Sequence, residues 1–326
     1  MSRLISTHLI AFLACLALVN AAVVHTHGSH SLHKEREEDG AYSPRDKNHI
    51  ASDEHNAEFD HEAILGSVKT AEEFDHLTKE ESIRRLRILL VQMDLNGDGA
   101  IDKRELKAWI MRSFKLLSEE EAKERQEDAD ENEDGKITWE EYITDTYGSD
   151  EGDDTLPSYN EQLIADDKVM WDVADTNKDN ILEGEEWMAF SHPEENPRML
   201  PTILAQTLKG KDLNHDNAID FQEYIGERGT EHDKEWLLVE KHKFDHELDS
   251  DGDGKLMGAE ILSWVVPSNE EIAGEEVDHL FETSDDDQDG ILSFDEVVAH
   301  HDTFVGSEAT DYGDHIHNIH QFTDEL

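Results

Sequence analysis

Asp94, Asn96, Asp98, Asp102 and Glu105 occupy the first, third, fifth, ninth and twelfth positions of one twelve-residue stretch, DLNGDGAIDKRE, with Gly99 at the sixth. Carboxylates at that density repel one another unless a cation lies between them. A hard divalent ion that takes six to eight oxygens at about 2.3–2.6 Å fits the spacing. Its ligands come from side chains at positions 1, 3, 5 and 9, a backbone carbonyl at 7 and a two-oxygen Glu at 12. Ala100 holds the seventh position here, and Gly99 supplies a sharp turn that needs positive φ. The expected ligand is Ca2+, held as in an EF-hand loop.

The pattern recurs five times. The second loop offers Asp130, Asn132, Asp134, Lys136 (through its carbonyl), Thr138 and Glu141, and the third Asp175, Asn177, Asp179, Ile181, Glu183 and Glu186. The fourth offers Asp212, Asn214, Asp216, Ala218, Asp220 and Glu223, and the fifth Asp249, Asp251, Asp253, Lys255, Met257 and Glu260. The sixth offers Asp285, Asp287, Asp289, Ile291, Ser293 and Glu296. The eighth position is always Ile or Leu (residues 101, 137, 182, 219, 256 and 292), as expected where two loops join through a short β bridge. Six matches of this length are not chance. The loops are unequal, however. Asn180 and Asn217 replace the turn glycine, Met257 cannot accept a strong hydrogen bond from a bridging water, and loop two has one ligand carboxylate fewer than the others.

Such loops must be held between helices, and apolar spacing supplies them. Ile83, Leu86, Leu90 and Met93 precede the first loop at helical intervals, and Leu106, Trp109, Ile110 and Phe114 follow it. Loop starts are 36, 45, 37, 37 and 36 residues apart, and the long interval contains the charged, turn-rich GSDEGDDTLPSY. The expectation is an all-α protein of six helix–loop–helix units in three pairs with two-residue bridges. The expected divisions are a pair of hands over residues 66–147, a linker at 148–158, a second pair over 159–230 and a third over 231–304. A polar leader at 22–65 with seven His between His25 and His61 is expected to be disordered. Its HTHGSHSLH run and the HIHNIH near the other end are read as solvated, not as transition-metal sites.

With 28 Lys and Arg against 80 Asp and Glu, the formal charge is −52, which argues against nucleic acid as a partner. The opening residues show Arg3, an apolar run from Leu9 to Val19 and then small residues, the layout of a signal peptide over 1–21. No later segment is apolar enough to span a bilayer. The single cysteine, Cys15, lies in that leader, so no disulfide is expected to brace the small domains. The tail at 305–326 ends in TDEL, which matches three of the four residues of the retrieval signals KDEL and HDEL, and this points to the endoplasmic reticulum lumen and a retrieval receptor.

The scattered His residues form no hydrolase or metalloprotease motif, and the Met residues form no sensor-like groove, so neither an enzyme nor a calmodulin-like switch is expected. The phrases FDHEAILG (59–66), FDHLTKEESIRRL (74–86) and ELKAWI (105–110), with six EF-hands and the tail, resemble the calumenin–reticulocalbin family. That resemblance implies a low-affinity calcium-binding protein of the secretory pathway that engages client or regulated proteins. The alternative is a calcium-dependent chaperone or interaction partner, retained or secreted, in which calcium sets shape. TDEL departs from the family's usual HDEL or HDEF at Thr323.

Overall fold

A computed structural model of the chain describes residues 36–47, 49–51, 54–148 and 158–306. The expected signal peptide, the acidic stretch 149–157 and the tail from 307 lie outside the described residues. The chain enters through a small hairpin, β1 (Ile50–Ala51) and β2 (Glu54–His55), followed by α1 (Ala57–Leu65), α2 (Val68–Asp75) and α3 (Lys79–Met93). Loop one carries β3 (Ala100–Ile101) and leads into α4 (Lys103–Ala129); loop two carries β4 (Ile137–Thr138) and leads into α5 (Trp139–Tyr147). Next come α6 (Ser158–Ala174), β5 (Ile181–Leu182), α7 (Glu185–Ser191) and α8 (Leu200–Lys211). They are followed by β6 (Ile219–Asp220), α9 (Phe221–Ile225), α10 (Arg228–Glu231) and α11 (Lys234–Lys243), which continues into a π-helical turn over Phe244–Leu248. The chain then runs through β7 (Lys255–Leu256), α12 (Ala259–Val265), α13 (Asn269–Ser284), β8 (Leu292–Ser293), α14 (Phe294–Ala299) and α15 (His301–Val305). The architecture is all-α, with two-residue bridges between loops, as expected.

The pairing of the hands is not the expected one. Consecutive pairing of loops one and two, three and four, and five and six is overturned by three antiparallel bridges. Ile101 faces Leu292, Ile137 faces Leu182, and Ile219 faces Leu256, so the pairs are one with six, two with three, and four with five. The physical reason is α4. Its 27 residues contain neither Gly nor Pro, and it is both the exit helix of hand one and the entry helix of hand two. At 1.5 Å per residue it separates those loops by about 40 Å. Loop one therefore takes the last loop as its partner.

Two cores follow, and α4 runs through both. Its first half gives Leu106, Ile110, Phe114 and Leu117 to a core with Leu86, Leu90, Val277, Leu280, Phe281, Leu292 and Phe304, which joins hands one and six. Its second half gives Ala122 and Ala129 to a core built on Trp171, Phe190, Ile203, Tyr224, Phe244 and Trp264, which joins hands two to five. The expected blocks 66–147, 159–230 and 231–304 are thus not packing units.

The leader is a second correction, because its described part is packed. Tyr42 is buried and its N–H donates to Val265 O (2.9 Å), while buried Asp39 accepts the indole N–H of Trp264 (2.9 Å). Glu195 Oε1 receives Arg45 (2.8 Å), Ser118 (3.0 Å) and Asn269 (2.8 Å), which ties the leader to α4, to the segment after α7 and to the start of α13. In α1, Phe59 and Ile64 are buried, and Ile64 O accepts the Trp109 indole N–H (2.7 Å). The leader's low apolar content hid this, because a few aromatic and charged anchors hold it. The FDHEAILG phrase is accordingly a packing phrase.

Candidate metal centres

Each loop is shaped by its own carboxylates. In loop one, Asp94 Oδ2 accepts the N–H of Gly99 (2.9 Å), and Asp94 Oδ1 accepts those of Gly97 (2.6 Å) and Asp98 (3.2 Å). The same contact from position 6 to position 1 occurs in the other five, from Gly135, Asn180, Asn217, Gly254 and Gly290, at 2.7–3.0 Å. The fifth-position Asp accepts the seventh-position N–H in every loop, as in Asp98 with Ala100 (3.0 Å) and Asp289 with Ile291 (2.9 Å). These bonds curl the backbone so that the side chains converge. Asp249, Asp251 and Glu260 place ligand atoms within 4.8 Å of one another, as do Asp285, Asp287 and Asp289. Met257 leaves loop five without a ninth-position oxygen but does not prevent this convergence.

The twelfth-position Glu closes each loop from the exit helix. Glu105, Glu141, Glu223 and Glu296 are the third residues of their helices and form capping boxes with Asp102, Thr138, Asp220 and Ser293. The ninth residue in these loops is therefore a helix cap as well as a candidate ligand. The N–H and hydroxyl of Thr138 hold the Glu141 carboxyl below its ordinary range, and the hydroxyl and N–H of Ser293 do the same for Glu296. Loops three and five have no side-chain cap; Gly184 and Gly258 turn there at φ 53° and 48°.

Calcium fits the donors present, which are carboxylates, amide oxygens and carbonyls. A direct sign is Glu186, which is 8% exposed and whose Oε2 is buried without a hydrogen bond. An ion in loop three would satisfy it. Loop two is the least ready, because the Asn132 amide N–H donates to Glu141 Oε1 (2.7 Å) and must turn for its oxygen to face an ion.

Backbone strain lies at two positions, not one. Asn180 and Asn217 adopt the expected left-handed turn at position 6, with φ of 64° and 62°. Position 4 does so too, through Glu133, Lys178, His215 and Gln288 at φ 58–65°, with Gly97 and Gly252 in the other two loops. The sequence signal was those two glycines. At roughly 1 kcal/mol or more each, the four non-glycine residues are tolerated because the loop bonds over-determine the turn.

The pairing also brings cations to the loops. Lys255 at position 7 of loop five ion-pairs with Asp216, the fifth-position candidate ligand of loop four, and holds its carboxyl low. Lys136 of loop two likewise meets Glu183 of loop three at 2.8 Å. A cation there competes with calcium. Lys255→Ala is expected to tighten calcium binding to loop four by roughly two- to fivefold at low salt, with the gain shrinking in high salt. Calorimetry at two ionic strengths checks this, and an unchanged or weaker affinity would contradict it.

Paired helix–loop–helix units with bridged acidic loops define an EF-hand protein, and the EF-hand domain pair family matches residues 83–147 and 241–300. Over 289 residues the chain is 38% identical to Reticulocalbin-2 of Mus musculus, covering 85% of this chain and 90% of that protein. It is 37% identical over 284 residues to Reticulocalbin-2 of Crotalus adamanteus (84% and 93% covered) and 36% identical over 282 residues to Reticulocalbin-3 of Rattus norvegicus (83% and 85%). The chain belongs to the reticulocalbin family, as an EF-hand calcium-binding protein and not an enzyme. No solved structure matches it. No helix among the described residues is long and apolar enough to cross a membrane.

Proposed function

We propose that the protein is a low-affinity calcium binder of the endoplasmic reticulum lumen, with an ion in each of its six loops held by positions 1, 3, 5, 7, 9 and 12. The observation that carries this reading is the shared curl of all six loops around their first-position Asp, completed by a Glu from the exit helix. Low affinity follows from strained fourth positions, competing lysines and a missing ninth-position oxygen in loop five. Calorimetry is expected to give dissociation constants on the order of 10⁻⁴ to 10⁻³ M. Uniform submicromolar sites would refute the assignment.

Lumenal residence is supported by the apolar leader, the TDEL terminus and family membership. Deleting Asp324 to Leu326 is expected to raise the secreted fraction, and Thr323→His to lower it. Unchanged secretion in both variants would mean that residence is decided elsewhere. Engagement of client proteins is carried by the resemblance alone, and proximity labelling in the lumen with and without calcium tests it.

A further inference from the structure

Outside the calcium loops, four side chains from three separate segments converge in one place, three of them buried and His279 a third exposed. His49 precedes β1, Asp60 lies on α1, and Glu276 and His279 lie one turn apart on α13. His49 Nε2 is 2.7 Å from Asp60 Oδ1 and 3.8 Å from Glu276 Oε2, and His279 Nε2 is 3.7 Å from Asp60 Oδ2. The ligand atoms of His49, Asp60 and His279 all lie within 4.8 Å of one another. Both carboxylate side chains are fully buried, and neither Glu276 oxygen has a hydrogen-bond partner. A cavity of about 310 Å³ opens beside them, lined by His49, Phe59, Ile272, Glu276 and His279 among others.

An ion-pair reading explains Asp60, which His49 meets directly. It leaves Glu276 wholly buried, with an imidazole only at 3.8 Å. A buried carboxylate of that kind is costly without a close cation, and in the metal-free chain it would have to take a proton instead. A zinc ion with nitrogen and oxygen ligands at about 2.0–2.1 Å would hold its donors about 3.3 Å apart, between the 2.7 Å of His49 with Asp60 and the 3.7–3.8 Å of His279 with Asp60 and His49 with Glu276. Two imidazoles with two carboxylates favour a borderline transition ion over calcium; His49, Asp60 and His279 already converge, and Glu276, 3.8 Å from His49, would turn in to close the site as its fourth donor.

We propose that His49, Asp60, Glu276 and His279 form a metal site of a second kind, taking one zinc-like divalent ion that staples the leader and α1 to the entry helix of hand six. Cys15 is the only cysteine, so such a clamp takes the place of a disulfide across the seam where the leader and α1 pack on hand six.

Cobalt(II) is the probe, added to the calcium-saturated chain freed of the signal segment 1–21, which leaves His49 and Asp60 in place. One equivalent is expected to give the intense visible bands of a tetrahedral ion, which zinc then displaces. His279 is a third exposed, so His279→Gln opens little of the core. That variant is expected to lose the bands and to weaken cobalt binding by more than the ~10–100-fold that a lost supporting contact costs. His49→Gln gives the same reading should the first variant fail to fold. Absence of tetrahedral bands in the wild-type chain would overturn the proposal. So would their persistence in a folded variant, which would place the ion on the His-rich stretches at 25–33 or 315–320.

Discussion

Removal of calcium with a calcium-selective chelator is expected to expand the chain and strip much of its helix. Six divalent ions add twelve positive charges to a formal charge of −52, and they add them where carboxylates are closest. At calcium ten times its dissociation constant, each site contributes about 1.4 kcal/mol, or ~8 kcal/mol over six. That is comparable to the whole stability of an ordinary domain, about 5–15 kcal/mol. The hydrophobic share is divided between two cores, and the chain crosses them on α4 without any cystine. In the metal-free chain the buried carboxylates Glu105, Glu186 and Glu223 and the first-position Asp175, Asp212 and Asp249 lose the cation that offsets their burial. Circular dichroism and small-angle scattering across a calcium titration read the result. High monovalent salt should restore part of the compaction by screening but not the loop curl. A metal-free chain as helical and compact as the loaded one would sink this idea and make the protein a preformed buffer.

The second expectation tests the unexpected pairing. Glu105→Gln in loop one is expected to raise the calcium midpoint of loop six by about five- to tenfold, the low end of ordinary coupling between sites. Loop two should stay within about twofold, although it is the next hand in sequence, because about 40 Å of α4 lies between the loops. The coupling runs through the bridge in which Ala100 faces Ser293 and Ile101 faces Leu292, with both apolar residues almost fully buried. Gly290 and Gly135 are suitable reporters, since each N–H donates to the first-position Asp of its own loop. Their amide NMR signals can be followed separately through a titration. A shift at Gly135 with none at Gly290 would restore consecutive pairing.

The loops could be read from the residues alone, because calcium chemistry writes its donors at fixed offsets within twelve residues. Asp94 to Glu105 and their five counterparts were legible for that reason, as were the flanking helices and the bridging Ile or Leu at position 8. The turn asparagines at 180 and 217 were legible too, because positive φ restricts residue type. Tertiary structure alone decided which loop meets which. All six position-8 residues are Ile or Leu, so none encodes a partner; the length of α4 and the packing of α13 against it do. The fourth-position strain was half-hidden, visible only where glycine fills it. Least legible was the leader, whose order rests on single contacts such as Tyr42 with Val265 and Asp39 with Trp264. His49 looked like one more residue of a solvated tail for the same reason. Periodicity reports contacts made within a segment, whereas His279 reaches His49 only after hand six has packed on the N-terminal segment.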